Sequence, residues 1–540
     1  MLNTQYGINT MLKEGHKHFS GLEEALLKNI GACKDIAKLT KTGLGPNGQK
    51  KMVINHIDKI FVTSDAATIM KELEVQHPAA KMIVMAAKMQ EGEAGDGTNL
   101  VISLAGELLS QAEELVKMGL HPSQIISGYE LAKEECLKIL GDLECYKVTD
   151  PTDLEQVKLG IHSALSSKLN FNGDFFSTLV AEACIKALPV NHKSFNVENI
   201  RVSKILGSTT ADSFVINGLV VNRAAEGSIT RVVNPKIAVY GTPLDPQQGD
   251  TKGTVLIQNA QELLNYSKSE EEHAEKIVKA IAESGVNLII VGGSINELML
   301  HYLEQYKIMI VRIMSKFELK RISRAVGATA LASLNPPSKD EMGTCDEVFV
   351  REIGSTKVTV IKRDTKDCKL STIVLRGATQ NHLDDIERAI DDGVQVYRSI
   401  IYDGRFVPGA GSCETIIATK LEKLAKQYKD LNQYSFDRFA KSFDIIPRIL
   451  QDNAGLNSNE AYPNLVKAND ETPSGVNINN GSISPISELK IYDHLQTKNW
   501  AIRLAADAAI TILRVDQIIV AKQAGGPKMP QQQNNWDNID

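Results

Sequence analysis

Seven cysteines (Cys33, Cys136, Cys145, Cys184, Cys345, Cys368 and Cys413) are scattered along the chain without a Cys-x-x-Cys pair, which excludes the sequence signature of a zinc site or a disulfide framework. Neither sign of charge dominates. Lys and Arg number 60 against 66 Asp and Glu, a net charge of -6, so no basic excess points to nucleic acid as a partner. No uninterrupted apolar run approaches the roughly 20 residues that span a bilayer. The opening MLNTQYGINTMLKEGHKHFSG lacks the apolar core of a secretory signal, and the expectation is a cytoplasmic protein with no membrane partner. A Walker P-loop is also missing, because the glycine turn at 43–48 runs on into Gln49-Lys50-Lys51 instead of Lys-Ser/Thr.

What is present is length and a three-part texture. At 540 residues the chain is too long for one core, and a soft rule of about 150 residues per domain gives three or four. The composition, 43% hydrophobic, 23% charged and 5% aromatic, is that of a soluble globular protein. Apolar residues recur at three- and four-residue spacing over 21–40 and 79–144, which predicts amphipathic helices, and 51–55 with 60–63 reads as a short hairpin. Helices continue after Pro151 to about Leu188. Short β-rich segments follow at 200–206, 214–221 and 236–240, and 286–313 reads as a β-α-β unit. The turn of that unit, Gly292-Gly293-Ser294, has no Gly-x-Gly-x-x-Gly, which argues against a dinucleotide. Strands at 358–362 and 370–376 close this α/β part. Helical patterning returns from 384 to about 513, broken by the Gly/Asn/Pro-rich stretch 471–485, and the tail 525–540 reads as disordered. Helical flanks around a different middle describe one domain interrupted by an insertion, with the two crossings as hinges.

The chemistry-bearing residues gather on polar turns far apart in sequence: Gly43-Leu44-Gly45-Pro46-Asn47-Gly48, Thr63-Ser64-Asp65, Gly95-Asp96-Gly97-Thr98-Asn99 and Pro408-Gly409-Ala410-Gly411. Two readings fit the third of these. It is a turn in which Thr98 caps the next helix, or a nucleotide site in which free N–H groups hold a phosphate and Asp96 its metal. Two readings also fit the charged stretch 261–279 with Glu270-Glu271-Glu272: a solvated helix face, or a projecting arm.

The segments LTKTGLGPNGQKKMV, TSDAATIMKELEVQHPAAK, GDGTNLVISLAGELL, DDIERAIDDGV, FVPGAGSCE, FDIIPRILQDNAGLN and AAITILRVDQII run in order from near residue 20 to near residue 520. With them the chain resembles a group II chaperonin (TCP-1/cpn60 family) subunit of the eukaryotic cytosolic TRiC/CCT type. TSDAATI and VDQIIVAKQAGGPK are most similar to one particular subunit type of that complex. The resemblance implies an α/β multidomain fold: a mostly helical equatorial ATPase domain (1–147 and 407–526), an intermediate domain (148–212 and 370–406), and an α/β apical domain (213–369). A helical lid protrusion is implied at about 244–279, with a disordered tail at 527–540. It also implies ATP and Mg²⁺ as cofactors and two stacked eight-membered rings of paralogous subunits. ATP would drive lid closure over unfolded clients such as actin and tubulin.

By the same resemblance, Leu44 and Gly45 pack on the nucleotide, and the backbone at Gly97, Thr98, Asn99 and Leu100 cradles its phosphates. Asp96 coordinates the metal, and one carboxylate with phosphate oxygens and water suits a hard Mg²⁺. Asp65 and Asp392 are the catalytic acids near the attacking water. In-line hydrolysis needs chiefly positioning and charge neutralisation, and Asp392 is the expected base. Its neighbour Asp391 is set aside, because the family's acid aligns with the second of the pair. Ser166, Ser167 and Lys168 match a nucleotide-sensing loop, Gly409 and Gly411 admit the nucleotide close to backbone, and Asp493 lies near the ribose. Three positions depart from the family pattern: Ala66 and Ala410 stand for glycines and Asn99 for a frequent threonine. On the helix expected at 315–327, Leu319, Ile322 and Val326 share one side while Lys316, Lys320 and Arg324 form a basic stripe on another, facing clients in the family. The competing reading is a scaffold subunit that binds nucleotide but turns it over little. A free-standing small-molecule kinase has no second-substrate motif to support it.

Overall fold

The computed structural model describes residues 22–169, 172–245, 260–365 and 368–518. Residues from 22–141 and from 407–513 meet in one core. The helices Leu22–Lys41, Pro78–Ala94, Thr98–Lys117 and Pro122–Gly141 pack with Ser412–Ala425, Asn432–Ser442 and Leu495–Leu513. Their apolar stripes supply buried Ile83, Leu104, Leu108 and Tyr129 from the first half, and Phe436, Phe439 and Ala505 from the second. Ala501, Ala505 and Ala509 keep one face of the last helix small enough for close packing among its neighbours.

A second core lies inside that one in sequence. The strand Ser371–Gly377 is buried at every position, and it pairs in parallel with Ile200–Leu206 (Ser371 opposite Ile200) and antiparallel with Phe214–Asn217 (Thr372 opposite Ile216). The helices Leu154–Ser166, Gly173–Ala187 and Gln380–Tyr402 share a core with this sheet.

Innermost in sequence is an α/β unit. Leu288–Val291, the helix Glu297–Gln305 and Met309–Arg312 form the expected β-α-β unit, its strands parallel with Leu288 opposite Met309. They extend through Lys236–Tyr240 to Ala330–Leu331. A four-stranded antiparallel sheet stands beside them, in the order Leu219–Val221, Thr356–Lys362, Glu347–Ile353, Arg231–Val233.

Several expectations change. The stretch 214–221 is two strands, not one: Phe214–Asn217 bonds to Ser371–Gly377, and Leu219–Val221 bonds to Thr356–Lys362. Between them Gly218 has φ 118°, and a Cβ there would lie 2.2 Å from the Ile361 carbonyl oxygen, so only glycine passes. For the same reason 358–362 and 370–376 do not close one domain together; the second belongs to the other sheet. The stretch 471–485 is less irregular than its composition suggests, because Ser474–Val476 pairs with Ile483–Pro485. Within the expected protrusion, residues 246–259 lie outside the described residues, as do 519–540 with the whole expected tail. The helix Ala260–Glu283 spans the charged stretch, and its Ala274, Val278 and Ile281 pack against the α/β unit. No described helix is long and apolar enough to cross a membrane.

Candidate functional site

Where the first and last described parts of the chain meet, one cavity is lined by residues from most of the polar turns. Pro78–Ala94 ends at Gly95 (φ 75°) and Thr98–Lys117 starts after Gly97 (φ 84°). These left-handed values suit glycine, and they turn one helix straight into the next. Gly95 is also crowded: a Cβ would lie 2.3 Å from Cβ of Gln395 on the helix Gln380–Tyr402. Thr98 does not cap, contrary to expectation. Gly97 holds the N-cap position without a side-chain bond, and the Thr98 hydroxyl donates to Asp65 Oδ1 at 3.4 Å. Gly97, Thr98, Asn99 and Leu100 line the cavity. The uncapped N–H groups of this first turn and the positive end of the helix dipole suit an anion.

Asp96 stands at the same place. Its Oδ1 accepts the Gly97 N–H at 2.7 Å, and Gln90 Nε2 donates to its carbonyl at 2.8 Å. Burial raises its carboxyl pKa against the pull of Lys168. Among the described residues no group of three or more His, Cys, Asp or Glu side chains forms a metal cage. Asp96 therefore fits a cation that brings most of its oxygen ligands with it, as Mg²⁺ bound to a polyphosphate does.

At one end of the cavity Lys168, just past the helix Leu154–Ser166, is sandwiched between two carboxylates. Its Nζ lies 3.1 Å from Asp65 Oδ1 and is bonded to Asp392 Oδ2. Asp65 caps the helix Ala66–Glu72 and accepts the Thr68 N–H and hydroxyl at 3.0 and 2.7 Å. Burial opposes its ionisation, but Lys168 and Thr68 outweigh it and hold its pKa at about 2. Asp392 is the reverse case. Burial pushes it well above the ordinary carboxylate range against the pull of Lys168, and Asp96 and Asp65 add to the push. Asp391 is exposed and Asp392 is not. Asp392 reaches the site through Lys168, without lining the cavity itself.

At the other end Asp493 lines the wall, 2.9 Å from Lys498 Nζ, and Lys498 also bonds Glu414. Glu414 and Lys498 were not singled out in the sequence, although FVPGAGSCE ends on Glu414 and Lys498 lies on the helix that follows Asp493. Glu414 Oε2 is buried without a hydrogen-bond partner, an acceptor open to a ligand donor. Leu44, Ile446, Leu450, Val476 and Ile491 give the cavity an apolar wall. The Leu44–Gly45 turn is held there by Asn453 Nδ2, which donates to the Leu44 carbonyl at 2.8 Å. Residues 43–48 have dinucleotide-type glycine spacing, but they follow a helix and precede the strand Lys51–Ile54, the reverse of the strand-turn-helix order that motif needs.

Other expected residues play narrower parts. Ser166 and Ser167 line the cavity, yet their hydroxyls bond back to His162 and Ala164 carbonyls. Gly411 (φ 82°) lines the wall, whereas Gly409 lies behind it, its N–H on the Ile491 carbonyl at 3.1 Å. Ala410 adopts φ 52°, a conformation glycine holds more cheaply. The Asn99 amide donates to the Thr40 carbonyl at 3.2 Å and so ties its helix to the end of Leu22–Lys41. Far from the cavity, Lys316, Lys320 and Arg324 are exposed on Lys316–Val326, while Leu319, Ile322 and Val326 are buried. Phe317, 79% exposed, breaks the purely basic character of that face.

Asp65, Asp96, Glu414 and Asp493 line the cavity with only Lys168 and Lys498 to balance them. A bare polyphosphate would be repelled, whereas one neutralised by a divalent cation fits.

The sequence pattern of the TCP-1/cpn60 chaperonin family matches residues 36–523. T-complex protein 1 subunit theta of Bos taurus is 48% identical over 535 residues, covering 98% of this chain and 97% of that protein. The Homo sapiens protein of the same name is 48% identical over 536 residues, 98% of each chain, and the Arabidopsis thaliana one 47% identical over 527 residues, 97% and 96%.

Proposed function

Because the chain belongs to the TCP-1/cpn60 chaperonin family, we propose that it is an ATP-hydrolysing subunit of a cytoplasmic hetero-oligomeric chaperonin. Its partners would be paralogous subunits in two stacked eight-membered rings. The observation that carries the reading is Lys168, held between Asp65 and Asp392 at the end of the cavity that the Thr98–Lys117 helix faces with its N-terminus.

The apolar wall around Leu44, Ile446 and Ile491 accommodates the base, and Asp493 with Glu414 Oε2 offers acceptors for the ribose hydroxyls. The phosphates lie against the first turn after Gly97. Asp96 and phosphate oxygens would hold Mg²⁺, which neutralises charge on the transferring phosphoryl group. A terminal phosphate competes with the two carboxylates for the Lys168 ammonium. Lys168 thereby registers its presence, and Asp392 is freed to orient a water. Of the two acids Asp392 suits the base role, because only Lys168 holds it, whereas Asp65 is also committed to the Thr68 N–H and hydroxyl.

Asp392 lies on the helix that packs on the sheet containing Ser371–Gly377, so nucleotide-driven movement of that helix would move the α/β unit and close a lid over unfolded clients such as actin or tubulin. The Lys316, Phe317, Lys320 and Arg324 face offers such clients charge and an aromatic contact together.

The test is Asp392→Ala in the assembled particle, with nucleotide read subunit by subunit. ATP remains bound in this subunit and is no longer converted to ADP. Unchanged conversion here removes Asp392 as the base. A wild-type subunit that binds ATP without converting it establishes the scaffold reading instead.

A further inference from the structure

A second cavity abuts the first at its Lys168 end. Pro46, Ser64, Ser167 and Lys168 line both, so they form the partition between them. The two compartments differ in charge. The larger roll of acids belongs to the first; among the described residues that line the second there is no carboxylate, and the polar groups are Lys50, His382, Asn47 and Asn172 with the partition residues. Lys50 Nζ is 2.5 Å from Asp385, a buried acid on the helix that carries Asp392, so the pair joins the loop between the Gly43–Gly48 turn and the strand Lys51–Ile54 to that helix.

We propose that this side compartment is an oxyanion site for inorganic phosphate, the route by which the cleaved terminal phosphate leaves while the rest of the nucleotide stays bound. The inference rests on the ATP-hydrolysis reading and deepens it. Three physical points carry it. First, the compartment adjoins the end of the cavity where Lys168, Asp65 and Asp392 converge, and not the Asp493 end, with Lys168 and three neighbours as the wall between them. Second, its lining is cationic and amidic, which suits a small, strongly hydrated anion, whereas the carboxylates of the first cavity repel one that has lost its divalent partner. Third, the Lys50–Asp385 pair stands at its wall, where an arriving anion competes with Asp385 for Lys50. Arrival of phosphate thus loosens a tie between the nucleotide-side hairpin and the helix bearing Asp392, and its departure restores it.

The probe is tungstate, an electron-dense analogue of phosphate, added with ADP to the assembled particle and located by electron cryo-microscopy at this subunit. Tungstate density between Lys50 and Lys168 is expected. His382→Glu, an exposed site where an added negative charge is tolerated by the fold, lowers its apparent affinity by about tenfold with ADP density retained. So does Lys50→Gln combined with Asp385→Asn, which removes the cation without leaving a buried unpaired acid. Bound ADP beside an empty side compartment, or tungstate indifferent to both variants, overturns the inference and leaves the ATP reading standing. Tungstate in the side compartment with no ADP in the main cavity supports the anion site and removes the ATP reading.

Discussion

Two lysines stand at opposite ends of one cavity, each between two carboxylates, and the proposed function gives them different work. Lys498, on Leu495–Leu513, joins Glu414 on Ser412–Ala425 and Asp493 on Tyr492–His494, the strand that runs directly into the lysine's own helix. Nothing there needs to part, and the cluster is an anchor. Lys168 joins Asp65, which caps a helix of the first core, to Asp392, on a helix whose core is the second, inner one. The same chemistry placed across a boundary becomes a contact that a ligand can break. Location, and not the type of ion pair, separates anchor from switch.

Four substitutions sharpen or break this contrast. Lys498→Met strands two carboxylates at a site whose lysine is 7% exposed, and destabilises this subunit by about 3–5 kcal/mol, read as protease sensitivity of the subunit within the particle. Lys168→Met lowers this subunit's ATP conversion by about 10²–10³-fold with a smaller loss of protease resistance than Lys498→Met. If Lys168→Met is as protease-sensitive as Lys498→Met, both lysines are anchors and the contrast fails. Gly95→Ala pushes Gln395 and its helix away, lowering ATP conversion by about tenfold with nucleotide occupancy kept. The smallest effect is that of Ala410→Gly, which relieves the φ 52° conformation and changes stability by less than about 1 kcal/mol, seen as a small shift in thermal denaturation. Loss of nucleotide binding on that change would mean the Ala410 methyl is part of the pocket wall in earnest.

The sequence made the Lys168 end legible, and of the Lys498 cluster it showed only Asp493. Asp65, Asp96 and Asp392 sit on glycine turns or in segments that resemble the family, so pattern led to them. Glu414 and Lys498 lie inside ordinary helical stretches, where a charged residue reads as a solvated face, and only the tertiary fold buries them. Strand existence was also readable, because alternation and β-branching mark 200–206 and 236–240 as they do in the fold. Partner choice was not. Nothing local to 370–376 says that it abandons its neighbour at 356–362 for a strand that begins at Ile200. The break at Gly218 was missed because a glycine in a strand is usually just a weak point.

Gly218 is the only residue between the strand Phe214–Asn217 in one sheet and Leu219–Val221 in the next, and the Thr372 hydroxyl is bonded to its carbonyl at 2.6 Å. Thr372 lies on the strand that leads, through Gln380–Tyr402, to Asp392. Such a connection has no slack, so a load applied to the outer sheets is felt by that helix. Coupling of this kind is reciprocal by thermodynamic necessity. On the proposed function, any cargo whose affinity changes by some factor when nucleotide binds must change the affinity for nucleotide by that same factor, so this one-residue passage would be a meter of cargo as well as a transmitter of fuel.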